Sequence, residues 1–177
     1  MKVAVLLVAA LVLSFELVCY VWIWRWPDSF LKVCERPLVA LLGEPVAVLE
    51  KLFYCFKVIQ IAAFLGWCHF YGDGSLQLVR EGPILAAGSA LILVGQILNL
   101  SVFWRLSTVG VFYGNRLGYD IPWSREFPFS FLRHPQYVGS LLSIWGFFLA
   151  MRLPHNDWYL LPSLETAYYT FGAYLEQ

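Results

Sequence analysis

The sequence predicts an all-α, polytopic membrane bundle of four to five transmembrane helices, with the last two forming a short hairpin. Three observations predict it. Of the 177 residues, 60% are apolar and 14% are charged, against about a quarter charged in a soluble domain. The apolar residues fall into stretches near the roughly 20 residues that cross a hydrocarbon layer. Glycine, proline and short polar runs separate those stretches. The formal net charge of zero gives no basic face of the kind a nucleic-acid binder needs.

The first stretch, 3–24, is interrupted only by Glu16. No small-x-small cleavage site follows it, which favours a retained helix over a signal peptide. Residues 25–51 contain Pro27, Pro37, Gly43 and Pro45 and mix charge with apolar side chains; this is the pattern of an interfacial amphipathic segment. The second helix is expected over 52–71, with Lys57 and Gln60 inside it, and Gly72, Asp73, Gly74 and Ser75 form a turn. The third spans 83–106, and a polar loop covers 107–136. The fourth, 137–153, and fifth, 158–175, are joined by Pro154, His155, Asn156 and Asp157. About 17 residues at ~1.5 Å each reach only ~25 Å. The hairpin therefore thins the bilayer, or counts as one span with a re-entrant turn, which gives four spans instead of five. Arg152 is placed to snorkel to the interface. Cys19, Cys34, Cys55 and Cys68 form no CxxC pair and read as packing thiols. No internal boundary is visible, so 1–177 reads as one domain.

Lysine and arginine set the orientation. With five spans, Arg25, Lys32, Arg36, Lys51, Arg105, Arg116, Arg125 and Arg133 share one side with the chain's C-terminal end, while Lys2, Arg80 and Arg152 lie on the other. The positive-inside rule places the first side in the cytosol.

Chemistry-bearing residues gather on that side. Gly88, Gly95 and Asn99 share a face of the third helix, with Gln96 close by; they serve helix packing or form a ligand wall. Gly110, Gly114 and Gly118 recur every fourth residue without a GxGxxG fingerprint or a preceding strand, so no Rossmann site is indicated. Arg133, His134 and Pro135 open the fourth helix. Proline suits a first turn, whose free N–H groups can hold a carboxylate. Arg133 can add a bidentate contact, and His134 titrates near neutrality. Tyr137 and Gly139 fall in the same opening segment. An interface anchor of arginine and tyrosine is the plainer alternative. Glu176 returns to the same rim, as a ligand for a cation or ribose hydroxyls or as a solvated acid. Glu165 lies about three turns deeper, and Glu16 is an intramembrane acid with no evident partner. Hydrolase and ATPase motifs are absent.

The run Arg133-His134-Pro135-Gln136-Tyr137-Val138-Gly139 resembles the motif of membrane methyltransferases, the superfamily that includes the isoprenylcysteine carboxyl methyltransferases. Gly110 to Gly114, Asp120 to Trp123, and Phe127 to Ser140 look like the phospholipid N-methyltransferase family. They are particularly similar to its single-domain, plant-type branch acting on phosphatidyl-N-methylethanolamine. This resemblance implies S-adenosyl-L-methionine as cofactor, residues 107–136 as a catalytic loop, and an endoplasmic reticulum membrane enzyme facing the cytosol. It implies a cofactor site of Gly95, Arg133, His134, Pro135, Tyr137, Gly139 and Glu176, with His134 and Tyr137 as catalytic candidates. Leu93 stands at the family's first glycine and Gln177 at its second acid. The implied acceptor is a phospholipid in the bilayer, with phosphatidylcholine as product. Its amine has a pKa of roughly 10, so lowering it ~3 units to neutrality corresponds to ~4 kcal/mol. His134, Glu126, Asp120 or water is the expected proton acceptor. Two other readings stand beside this one: a carboxyl methyltransferase of prenylated cysteine, and a non-catalytic lipid-binding membrane protein.

Overall fold

The computed structural model describes residues 2–71, 76–122, 124–153 and 155–176. The expected turn at 72–75, together with Trp123, Pro154 and Gln177, lies outside them. Among the described residues seven α-helices follow in order: α1 (Lys2–Arg25), α2 (Pro27–Cys34), α3 (Pro37–Ala40), α4 (Pro45–Tyr71), α5 (Gly82–Val111), α6 (Pro135–Met151) and α7 (Leu160–Leu175). A single 3₁₀ turn, Gly114–Arg116, follows α5. No strand occurs among the described residues.

Proline sets five of the helix starts. Pro27, Pro37, Pro45, Pro83 and Pro135 each sit in a first turn, where a missing N–H leaves nothing unpaired. Two elements run longer than the sequence suggests. Helix α4 begins at Pro45, seven residues before the apolar stretch, because its charged first turns bury Val46, Val48 and Leu49. Helix α5 runs on to Val111, across a break at Ser107 (φ 54°, ψ 177°), so the first residues of the expected loop are helical. The segment at 25–51 contains the short helices α2 and α3. Leu38 and Leu41 there are more than four-fifths exposed.

Helices α1 and α5 are long and apolar enough to cross a membrane. On α1, Leu7, Leu11, Phe15 and Val18 point outward; on α5, Leu93, Leu100 and Trp104 do. The closest packing is between α5 and α6, and α7 leans on both α1 and α6. Gly88 faces Gly146, and Gly95 faces Gly139. A Cβ on Gly139 would stand 2.7 Å from the Gly95 carbonyl oxygen, and one on Gly88 would stand 2.8 Å from the Gly146 carbonyl oxygen. Only glycine permits this approach. The Gln96 amide donates to Ser143 Oγ across the same crossing, at 2.9 Å.

The α6–α7 hairpin is fastened at its turn. Arg152, expected at the interface, is instead almost wholly buried. Its Nε donates to Asp157 Oδ1 at 3.0 Å and its Nη2 to Oδ2 at 2.9 Å. This two-pronged match to a carboxylate makes burial of the guanidinium tolerable. Trp145 Nε1 donates to Thr166 Oγ1 at 3.0 Å, and the Tyr168 hydroxyl ties α7 to the Ala10 carbonyl of α1 at 2.9 Å.

Two apolar clusters hold opposite halves of the bundle. One gathers Ile23, Phe30, Leu49, Val102 and Phe112 where α1, α2, α4 and α5 meet. The other gathers Leu13, Phe64, Trp67, Phe148 and Leu161 toward the far ends.

Candidate active site

A cavity of about 530 Å³ opens inside the bundle. Its rim is formed by the C-terminal ends of α1, α5 and α7 and the N-terminal end of α6. Trp24, Tyr113, Arg133, His134, Pro135, Tyr137 and Glu176 all line it. Alternating helix direction brings these ends, distant in sequence, to one edge.

The rim turns on Glu176. Tyr113 has left-handed backbone angles (φ 54°, ψ 29°), which strain a bulky residue. Its hydroxyl donates to Glu176 Oε1 at 2.5 Å, and the Tyr137 hydroxyl also donates to this carboxylate. Burial nevertheless raises the Glu176 pKa above its ordinary value, and the two hydrogen bonds only oppose that shift. The aromatic wall continues with Trp24, whose ring packs edge-on to Tyr113 at 5.3 Å. The Arg116 guanidinium covers that indole at 4.1 Å.

His134 caps α6 without a side-chain hydrogen bond to its first turn. Its ring stacks on Tyr137, with centroids 5.7 Å apart and 15° between planes. Its Nε2 is shielded from solvent and has no hydrogen-bond partner. Burial, followed by the neighbouring Arg133 charge, lowers its pKa below 6.5, so the imidazole is neutral near pH 7.

The inner end carries groups whose connection was not evident from the sequence. Lys57 pairs with Glu16 at 2.9 Å and donates to the Tyr169 hydroxyl at 3.0 Å and to Gln60 Oε1 at 2.9 Å. Gln60 Nε2 donates in turn to Glu165 Oε1 at 2.9 Å. Glu16 thus has a partner after all. The network links α1, α4 and α7, and its Glu16, Lys57, Glu165 and Tyr169 line the same cavity as the rim residues.

Of the seven residues expected to hold cofactor, Arg133, His134, Pro135, Tyr137 and Glu176 meet at the rim. Gly95 and Gly139 are placed together at the α5–α6 crossing and are not among the cavity-lining residues. Among the expected proton acceptors, Glu126 is ion-paired to Arg105 on the exposed surface and Asp120 is exposed; His134 alone faces the cavity. Sequence reading passed over Tyr113 and the Glu16–Lys57–Gln60–Glu165 network as site residues. A signal for them existed. Leu13, Glu16, Tyr20 and Trp24 on α1, Phe53, Lys57 and Gln60 on α4, and Glu165, Tyr169 and Gly172 on α7 with Glu176 at its C-cap each recur at the three- and four-residue steps of one helix face.

The residues present fit a nucleoside-bearing sulfonium donor. A guanidinium and the uncapped first turn of α6 suit a carboxylate. A buried carboxylate suits hydroxyls or an ammonium group, and the orphaned His134 Nε2 invites a further hydrogen bond. The cavity volume is in the range of small-molecule sites.

Comparison with known proteins agrees in kind. No solved structure matches the chain. A phosphatidyl-N-methylethanolamine N-methyltransferase of Arabidopsis thaliana is 30% identical over 138 residues, covering 78% of this chain and 75% of that protein. The sequence model of the phospholipid methyltransferase family matches residues 83–177, from the start of α5 through the α6–α7 hairpin. This chain belongs to the phospholipid methyltransferase family.

Proposed function

We propose that the protein catalyses S-adenosyl-L-methionine-dependent N-methylation of mono- and dimethylethanolamine phospholipid headgroups, yielding phosphatidylcholine. The observation that carries this reading is the cavity inside the bundle. It joins a polar rim of Arg133, His134 and Glu176 to an aromatic, charged interior bounded by membrane-length helices.

In this reading Arg133 and the first turn of α6 hold the donor's carboxylate, and Glu176 holds its ribose or amino group. Tyr113 and Tyr137 fix the Glu176 carboxylate in place. Gly95 and Gly139 act through position, since their close approach sets where α6, and with it Pro135 and Tyr137, stands relative to α5. The bound donor supplies a methyl group on a sulfonium sulfur. Trp24, Tyr113 and Phe129 exclude water from the rim, which strengthens the electrostatic contacts there. The acceptor amine must give up its proton before it reacts; desolvation within the cavity opposes its charged form, whereas the carboxylates at the inner end favour it. Neutral His134 is available to receive its proton.

Five spans, α1, α4, α5, α6 and α7, cross the bilayer in alternating directions, with the rim on the cytosolic face of the endoplasmic reticulum. The lipid enters sideways, its acyl chains remaining in the membrane. The test is transfer of labelled methyl from S-adenosyl-L-methionine in mixed micelles containing phosphatidylethanolamine, its mono- or dimethyl forms, or a farnesylated cysteine. Label in methylated phospholipid supports this reading. Label confined to a base-labile ester, or no transfer and no donor binding, refutes it.

A further inference from the structure

We propose that the inner end of the cavity is a seat for the ammonium group of the acceptor lipid, formed by Glu165, Glu16 and the hydroxyl of Tyr20; this rests on the lipid methylation proposed above. The first observation is a charge mismatch in a secluded place. Glu16 and Glu165 line this end together with one cation, Lys57. An ammonium side chain has three N–H donors. Those of Lys57 meet Glu16, Gln60 and Tyr169 at 2.9, 2.9 and 3.0 Å, so its hydrogen-bonding capacity is taken up within the protein. Among the described residues, Glu165 accepts a single side-chain hydrogen bond, from the uncharged Gln60. With both acids ionised, the network carries one more negative than positive charge. Such a surplus away from water is unfavourable until a proton or another cation meets it.

Tyr20 supplies an independent pointer. Its hydroxyl oxygen is shielded from solvent and has no hydrogen-bond partner, although the residue lines the cavity. It stands one helical turn from Glu16 on the same face of α1. Buried hydroxyls are ordinarily satisfied, so this one awaits a group from outside the chain. Ring faces at the same depth already accommodate a cation: Lys57 Nζ lies 5.5 Å from the Phe53 centroid and 5.7 Å from that of Tyr169. A partly methylated ammonium meets all three kinds of surface. It brings positive charge for the surplus carboxylate, N–H donors for Glu165 and Tyr20, and polarised methyl groups for aromatic faces. An anionic group would meet the surplus negative charge. After the final methylation no N–H remains, and the product keeps only the charge and ring contacts.

The experiment titrates purified full-length protein in detergent, without methyl donor, with two short-chain lipids. One is phosphatidyl-N-methylethanolamine; the other is its N-acetyl derivative, whose nitrogen is uncharged. Wild type is expected to bind the ammonium lipid at least about tenfold more tightly. Glu165→Gln is expected to erase most of that ratio while leaving affinity for S-adenosylhomocysteine unchanged. Tyr20→Phe, which keeps every charged pair, is expected to narrow it about fivefold. A purely structural network would lose thermal stability on substitution and retain the ratio. An unchanged ratio in the folded variants overturns the proposal; should Glu165→Gln fail to fold, Tyr20→Phe decides. Failure of wild type to bind S-adenosylhomocysteine would count against the methyltransferase reading instead, because the lipid ratio is measured without it.

Discussion

Replacing Gly139 with alanine tests whether the α5–α6 crossing positions the site. The added methyl would stand 2.5 Å from Asn99 Oδ1 and 2.7 Å from the Gly95 carbonyl oxygen. Asn99 can rotate, but a helix carbonyl cannot, so the helices must part. Overpacking of this kind costs about 1–3 kcal/mol. Alanine returns roughly 0.5–1 kcal/mol by restricting the unfolded chain, leaving a net loss of up to about 2.5 kcal/mol, centred near 1 kcal/mol. Gly139 lies one turn from the Pro135–Tyr137 segment, so the displacement reaches Arg133 and His134. About a tenfold loss of S-adenosylhomocysteine affinity is expected, equivalent to ~1.4 kcal/mol. Gly66→Ala is the control. Gly66 is within α4 and no atom lies within 4 Å of its added Cβ, so a gain of roughly 0.5–1 kcal/mol is expected. Thermal unfolding in detergent and calorimetric titration read both variants. If Gly139→Ala is as stable as Gly66→Ala and binds S-adenosylhomocysteine like wild type, the positioning role is wrong.

Three further outcomes are expected. Glu176 has a raised folded-state pKa, so its ionised form opposes folding: stability should fall as pH rises from about 4.5 through the raised value. Glu176→Gln should remove that slope, stabilise the empty protein above the window and weaken donor binding; a wild-type and variant pair with parallel stability curves would contradict this. His134 has a lowered folded-state pKa, so its contribution is complete above 6.5 and lost as pH falls below it. His134→Gln should flatten that acid limb, read as the difference between the two stability curves because the Glu176 slope runs the other way. Lys57→Met should destabilise by about 3 kcal/mol by leaving Glu16 unpaired, and adding Glu16→Gln should recover much of it. A double-mutant cycle with no coupling would disprove the ion pair.

Much of the helical layout was legible because lipid-length apolar stretches and prolines at helix starts are local signals. Pro135, read as a first-turn residue, occupies that position. The start of α4 was not legible, since Glu50 and Lys51 masked a face that is buried only once α2 folds against it. The cluster at residues 133–137 was visible for the same local reason, its residues being neighbours in sequence. Tyr113 was not, because its reach to Glu176 depends on a left-handed backbone turn and on the return of α7 to the rim. The partnership of Glu16, Lys57, Gln60 and Glu165 required the relative rotation of three helices, which periodicity within each one does not specify. Gly95 and Gly139 show the complementary case. A small-residue face was visible, but whether it met a ligand or a helix depended on what lay opposite.

The most direct test of the central claim is an experimental structure of the protein bound to S-adenosylhomocysteine. Density inside the cavity, in contact with Arg133, His134 and Glu176 and leaving the Glu165 end open to a lipid headgroup, is the expected result. Density on the outer surface of the 112–134 segment, with the cavity closed by side chains, would contradict it.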